Sequence, residues 1–236
     1  MGANADVLRR SDLIGSRAHE SELPRFGVSR ETNAWNPADF VREQIRGLVR
    51  RVFFTSGVQS VKQVVFSAAD PDTDVAGICD QVGRALALET RADVAIVVRG
   101  PQTREMVQDH PRGVESGPIK SWSAQIGNNL WRVPGLGLRA CGEEPGMGRY
   151  WAPCLAGLRT EFDYAVIHGP AAGISSEAVV LGQLTDGIIL VLGAHSTRRV
   201  TARKIKQTLE GAQARILGTV LSERTFPIPE QIYRRL

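Results

Sequence analysis

The 236-residue sequence predicts an α/β fold, a single domain with a doubly wound, mostly parallel β-sheet. Short apolar runs rich in β-branched residues alternate along the chain with longer segments whose apolar residues recur at helical spacing. The apolar runs are hydrophobic throughout, which is typical of strands covered on both faces. Hydrophobic residues make up 42% of the chain, enough to fill one continuous core.

The predicted elements follow a polar N-terminal segment. Residues 1–36 are polar and aperiodic, so we expect a flexible arm there and one domain over residues 37–236. The domain opens with a helix at Pro37 that carries a broad apolar stripe. Strands are predicted over residues 61–67, 94–98, 130–133, 165–168, 187–192 and 215–221. Further helices are predicted over residues 74–89, 176–184 and 197–211, and the Gly- and Pro-rich stretch 100–148 is expected to form loops.

Composition restricts the cellular setting. The longest apolar stretch, residues 187–194, is far shorter than the ~20 residues of a membrane-spanning helix, and residues 1–10 lack the apolar region of a secretory signal. Cys79, Cys141 and Cys154 are scattered and lack metal-ligand spacing, so a cytoplasmic location is expected. The formal net charge is +4, and all but four of the 29 basic residues are arginines. A high-GC genome explains this excess without a function, although an arginine-rich surface also favours anionic partners.

The junction between the first predicted strand and the next helix is where chemistry is expected. In an open parallel sheet, ligands bind beyond the carboxyl ends of the strands, and helix N-termini attract anions. A P-loop places glycines at this junction, together with a lysine for the phosphates and a Ser/Thr hydroxyl for magnesium. Here residues 67–77 read SAADPDTDVAG, with three aspartates and no lysine.

Motifs along residues 38–236 match one family. The first helix carries Glu43, Arg46 and Leu48 in the spacing of a Glu-x-x-Arg-x-Leu-Arg motif, with the last arginine displaced to Arg50, and a strand ends in Ser67-Ala68. The C-terminal third contributes matching segments at residues 162–164, 169–170, 186–191, 197–199 and 217–221. On these motifs the chain resembles the cytoplasmic P-loop ATPase domain of bacterial tyrosine kinases, the regulators of capsule and exopolysaccharide export.

The resemblance implies a P-loop NTPase fold and a set of contacts. Glu43, Arg46 and Arg50 would lie at a subunit contact of a homo-oligomer. Tyr233 would be the candidate phosphosite, because the family's C-terminal tyrosine cluster is reduced to this one residue. The implied partners are a membrane polysaccharide-export or chain-length protein, through which the chain would associate with the membrane, or an active tyrosine-kinase homologue.

The family's nucleotide-handling residues are replaced in this sequence. The P-loop glycines, lysine and threonine, the Asp-x-Asp strand end and the Walker B aspartate all differ. The replaced positions are Asp72, Asp74, Val75, Ala76, Val98, Gly100 and His168. Because three elements that act together in phosphoryl transfer have changed, we expect no catalytic residue, no nucleotide site and no ATP or Mg²⁺ cofactor.

The three aspartates of the junction have two other interpretations. The alternate spacing of Asp70, Asp72 and Asp74 is that of a calcium loop, but the glycine at the sixth position and the glutamate at the twelfth are missing. Acidic residues also stabilise a helix N-terminus against its dipole, and this interpretation is favoured. It predicts Asp72 or Thr73 as the N-cap, and no metal is expected.

Three functions follow, in order of preference. The first is a non-catalytic, tyrosine-kinase-like partner or regulator of exopolysaccharide and capsule synthesis and export. The second is an active tyrosine autokinase or ATPase that uses unusual residues, with Arg99 in place of the lysine. The third is a nucleic-acid-binding relative of partition ATPases, suggested by the arginine excess but lacking a DNA-reading motif. A basic run at residues 198–206 is either a solvated helix face or a docking surface for an anionic membrane or an acidic partner.

Overall fold

The computed structural model describes residues 37–55, 60–98, 117–135 and 148–223, and the predicted N-terminal arm lies outside them. The helices are α1 (Pro37–Phe53), α2 (Val75–Thr90), α3 (Gly148–Glu161), α4 (Glu177–Leu184) and α5 (Arg199–Gly211). The strands are β1 (Gln63–Ala68), β2 (Val94–Val98), β3 (Ala124–Gly127), β4 (Leu130–Pro134), β5 (Tyr164–His168), β6 (Gly187–Gly193) and β7 (Ile216–Ser222). A short 3-10 helix, Ile119–Trp122, precedes β3.

The seven strands form one sheet in the order β3-β4-β2-β5-β1-β6-β7. All neighbouring pairs are parallel except β3 with β4, which is an antiparallel hairpin at the edge. The predicted class, a doubly wound and mostly parallel α/β sheet, is therefore confirmed. Because β1, β2, β5 and β6 are parallel neighbours, their carboxyl ends meet at one edge of the sheet, where the candidate site lies.

A separate hydrophobic core lies on each face of the sheet. Successive strand residues point to opposite faces, so Val64 and Phe66 of β1 enter one core and Val65 enters the other. The first core is closed by α1 and α2, including the fully buried Val49 and Leu86. The second is closed by α3, α4 and α5. None of the helices among the described residues has the length and apolar character needed to cross a membrane.

Besides the short 3-10 helix, sequence reasoning missed one strand and one α-helix in and beyond the stretch expected to form loops. The hairpin strand β3 lies inside that stretch, and α3 begins at its end, at Gly148. Helix α3 contains Pro153 and Gly157, which weaken a helical pattern in sequence. Packing stabilises it nonetheless, because Trp151, Leu155 and Leu158 all face the sheet and are buried.

Candidate functional site

The loop between β1 and α2 lies at the carboxyl edge of the sheet, tied to its neighbours on both sides. The backbone N–H of Ala69 donates to the carbonyl of Val191 at the end of β6, at 2.9 Å. The N–H of Ala172, which follows β5, donates to the carbonyl of Ala68 at 2.8 Å. The loop is therefore held in the position that a phosphate-binding loop occupies in this type of sheet.

Asp74 caps helix α2, whereas Asp72 or Thr73 had been predicted to do so. Its Oδ1 accepts a hydrogen bond from the N–H of Gly77 at 2.8 Å, three residues along the chain. The prediction was wrong because the helix begins at Val75, so the last aspartate of the loop, not the middle one, has the N-cap geometry. Thr73 is buried instead, and its carbonyl accepts from the N–H of Val75 at 2.9 Å.

The close approach of Asp74 to its helix depends on Gly77. A Cβ at position 77 would lie 2.2 Å from Oδ2 of Asp74, too close for any side chain in this arrangement. Two of the first-turn N–H groups, those of Val75 and Gly77, thus have acceptors from the protein itself. These are groups that a helix otherwise offers to an anion.

Asp70 forms a second internal contact, across the site. The hydroxyl of Thr197 donates to Oδ2 of Asp70 at 2.5 Å and accepts the N–H of Gly193 at 2.9 Å. Thr197 lies between β6 and α5, so this pair joins the loop to the end of the neighbouring strand. The contact was missed in the sequence because its two partners are 127 residues apart.

The three aspartates are not arranged around a common centre. Asp70 bonds to Thr197 and Asp74 caps its own helix, while the side chain of Asp72 is exposed. Among the described residues, no three His, Cys, Asp or Glu side chains are grouped as a metal ion requires. The geometry therefore offers no calcium loop here.

Two of the other predicted positions, Val98 and His168, lie at the same edge. Val98 ends β2 and is half-buried, while Gly100 and Arg99 lie outside the described residues. His168 ends β5 in register with Phe66 of β1, and it is the residue that the family resemblance aligns with the Walker B aspartate. The residue after it, Gly169, must be small, because a Cβ there would lie 2.6 Å from Cγ1 of Val65.

Beneath the loop, Cys79 of α2 is fully buried. Burial raises the pKa of its thiol, and the nearby carboxylates of Asp74 and Asp80 raise it further. The thiol is therefore neutral at physiological pH and cannot act as a nucleophile. Cys79 contributes to the core under α2, where it packs with Val75 and Val82.

The residues expected at a subunit contact lie on α1, where they pair within the chain. The guanidinium of Arg46 lies 3.7 Å from Glu89 of α2, and that of Arg50 lies 3.4 Å from the same carboxylate. Glu43 lies 4.0 Å from Arg46. Both arginines remain about half exposed, so they are accessible to a second molecule. Tyr233, the candidate phosphosite, lies outside the described residues.

No model of a protein family matches the chain. Among curated proteins, the chain is 28% identical over 74 residues to the tyrosine-protein kinase CpsD of Streptococcus agalactiae. That segment is 31% of this chain and 32% of the relative, so the chain matches about a third of the length of CpsD.

Two solved structures extend the likeness to most of the chain. The kinase domain of the Escherichia coli tyrosine kinase ETK superposes with a TM-score of 0.62 at 16% identity, covering 83% of this chain and 82% of that domain. The chimerical protein CapA2B2 has a TM-score of 0.58 at 19% identity, covering 76% of this chain and 83% of that one. The chain thus has the P-loop NTPase fold of bacterial tyrosine-kinase domains. The resemblance inferred from the sequence motifs is confirmed at the level of the fold.

Proposed function

We propose that this chain is a non-catalytic, tyrosine-kinase-like protein that acts as a partner or regulator in exopolysaccharide or capsule synthesis and export. The proposal depends on one observation, that the protein's own carboxylate occupies the anion-binding end of α2. Asp74 accepts the N–H of Gly77, which a phosphate oxygen would need.

Electrostatics oppose nucleotide binding at this position. Two like unit charges about 4 Å apart near a protein surface repel by about 4 kcal/mol, which is roughly a thousandfold in affinity. A triphosphate at the start of α2 would meet the carboxylates of Asp72 and Asp74, both exposed. The sequence contains no lysine between Lys62 and Lys120, so the loop itself supplies no ammonium group to offset this repulsion.

The link between Asp70 and Thr197 also favours a closed, ligand-independent loop. A hydrogen bond to an ionised carboxylate contributes about 1.5–3 kcal/mol when it is sheltered from water. Here it fixes the loop to the end of β6 through the N–H of Gly193. The loop is therefore stabilised by protein contacts in the place where an active P-loop is stabilised by phosphate.

Titration calorimetry of the full chain with ATP and Mg²⁺ tests the proposal. We expect no binding at concentrations that saturate an active kinase domain such as that of ETK, measured in parallel as the positive control. Micromolar, Mg²⁺-dependent binding would contradict it. Autophosphorylation abolished by Tyr233→Phe would support instead an active autokinase that uses Arg99.

A chain that does not turn over ATP can act in this pathway only through what it binds. We expect a membrane polysaccharide-export or chain-length protein, or an active tyrosine-kinase homologue, as the partner of this cytoplasmic chain. Affinity purification of the tagged chain from detergent-solubilised membranes of its native host, followed by mass spectrometry, tests this. Recovery of neither class of protein, with the tagged chain shown to be folded, would count against the partner assignment.

A further inference from the structure

The start of α5 carries a concentration of exposed positive charge. Five basic residues, all exposed, lie in α5 or directly before it: Arg198, Arg199, Arg203, Lys204 and Lys206. Within the part of the chain that the structure describes, only Lys206 has a carboxylate within ion-pair distance, that of Glu210 at 3.3 Å. The other four have no carboxylate partner among the described residues.

An apolar side chain lies in the middle of this charge. Successive residues of an α-helix are about 100° apart, so Arg199, Val200, Arg203 and Lys204 share an arc of about 140°. Val200 is 78% exposed, whereas Ile205 and Leu209 on the opposite side are buried in the core. The outward side of α5 is thus both basic and apolar. Val200 is not part of the hydrophobic stripe of the helix, because that stripe is buried in the core.

Exposed apolar residues flank α5 on both sides. Ile174 is 75% exposed. It lies beside α5, because a Cβ on the preceding residue, Gly173, would be 3.5 Å from Ile205 of that helix. On the other side of α5, Leu221 of β7 is 56% exposed. It pairs with Leu192 of β6, and Leu192 packs against the core on the α5 side of the sheet. Paired residues of parallel strands point to the same face, so Leu221 borders α5 as well.

We propose that this surface, the α5 face, docks directly on an anionic phospholipid bilayer. We define it by Arg198, Arg199, Val200, Arg203 and Lys204, with Ile174 and Leu221 at its borders. Phosphate headgroups match the guanidinium groups, and the headgroup–acyl boundary accepts the exposed Val, Ile and Leu side chains. Duplex DNA would match the charge but would leave these apolar side chains without an apolar partner. The bilayer is therefore the better occupant.

The expected strength follows from the charge. Each Lys or Arg close to an anionic leaflet strengthens binding about fivefold, so four of them give roughly several hundredfold. Because α5 keeps its buried stripe in the core, the contact is peripheral and reversible, and salt should weaken it. This inference does not depend on whether the chain binds nucleotide.

Sedimentation of the full chain with vesicles tests the proposal. We expect binding to phosphatidylglycerol-containing vesicles at low salt, little binding to pure phosphatidylcholine vesicles, and loss of binding in ~0.5 M salt. The double variant Arg199→Gln/Arg203→Gln should bind about 25-fold more weakly, by removing two of these contributions. Val200→Ser should weaken binding without a change in charge, which a purely electrostatic contact would not show.

A matched control is available on α1. Arg42→Gln/Arg51→Gln removes the same net charge from two exposed arginines away from the α5 face, and it should bind vesicles as the wild type does. Circular dichroism checks that each variant is folded. The proposal is overturned if anionic vesicles are not bound at low salt, or if the control weakens binding as much as the α5 variant. It is also overturned if duplex DNA at equal phosphate concentration binds more tightly than the vesicles.

Discussion

Asp74 stabilises the first turn of α2 through one carboxylate oxygen, and this contact can be tested by itself. Asp74→Ala removes the cap and leaves the N–H of Gly77 without its acceptor. We expect a loss of about 1 kcal/mol in the free energy of unfolding, the usual cost of losing an N-cap. In a domain of this size that is a fall of about 2–4 °C in Tm, measured by thermal unfolding.

Asp72→Ala is the matched control for that substitution. Asp72 lies two residues earlier and is exposed, so its removal should change stability by less than about 0.5 kcal/mol. Equal losses in the two variants would mean that general acidity near the helix dipole, and not the cap of Asp74, stabilises α2. Neither variant should gain ATP binding, because the lysine and the other strand-end residues are still replaced.

The position of the site could be predicted from the sequence, but the contacts of its single residues could not. Its position was predictable, because the first βα junction of a parallel sheet is the usual phosphate site. The bond between Asp70 and Thr197 was not, since it joins segments 127 residues apart whose proximity only the fold creates. The choice of Asp74 as cap depended on a shift of one residue in the start of α2, within the ordinary error of boundary prediction.

At the scale of secondary-structure elements, Asp186 directly precedes β6 and links that strand to β1 and α3 at the opposite edge of the sheet. Its carboxylate accepts the N–H groups of Lys62 and Gln63 at the start of β1, both at 2.7 Å, and the guanidinium of Arg159 of α3 at 2.8 Å. Burial alone would raise the pKa of Asp186. The hydrogen bonds from Arg159, Gln63 and Lys62 outweigh burial, and the pKa lies below its ordinary value of 3.8.

This lowered pKa predicts a pH dependence of stability. The unfolded chain binds a proton at Asp186 more readily than the folded chain does, so the contribution is present above pH ~4 and is lost as pH falls through the folded pKa. Asp186→Asn should therefore be less stable at neutral pH and show a flatter stability profile below pH ~4. Arg159→Gln, which removes one of the three donors, should be intermediate. Urea unfolding at several pH values measures this, and parallel profiles for wild type and Asp186→Asn would contradict it.

The elements themselves differ in how readily sequence predicts them. The central strands were predicted to within two residues, because runs such as β2 are apolar throughout and buried on both faces. Strand β3 was missed because it alternates in exposure and depends on its hairpin partner β4. Helix α3 was missed because Gly157 weakens the local pattern. In the fold that glycine allows close packing, since a Cβ there would lie 2.9 Å from Ile119.

At the scale of the whole molecule, the fold and the expected phosphate site point to different conclusions about nucleotide binding. The fold is that of bacterial tyrosine-kinase domains, while the loop and the helix N-terminus at the carboxyl edge of the sheet are satisfied by the chain's own carboxylates. On the proposed function the protein acts through its surfaces, and α1 carries the surface that the family resemblance assigns to assembly. Arg46 and Arg50 meet Glu89 there in exposed ion pairs, which contribute no more than about 1 kcal/mol each.

Because those ion pairs are weak, a second subunit can compete with Glu89 for the two arginines. If the arginines serve assembly, Glu43→Ala/Arg46→Ala/Arg50→Ala should shift the chain toward monomer in sedimentation velocity. Glu89→Gln should leave assembly unchanged or strengthen it, because it releases both guanidinium groups. If Glu89→Gln disrupts assembly as much as the triple variant does, the arginines act by fixing α1 against α2, and the subunit contact lies elsewhere. A wild-type chain that is monomeric at all concentrations would exclude the contact altogether.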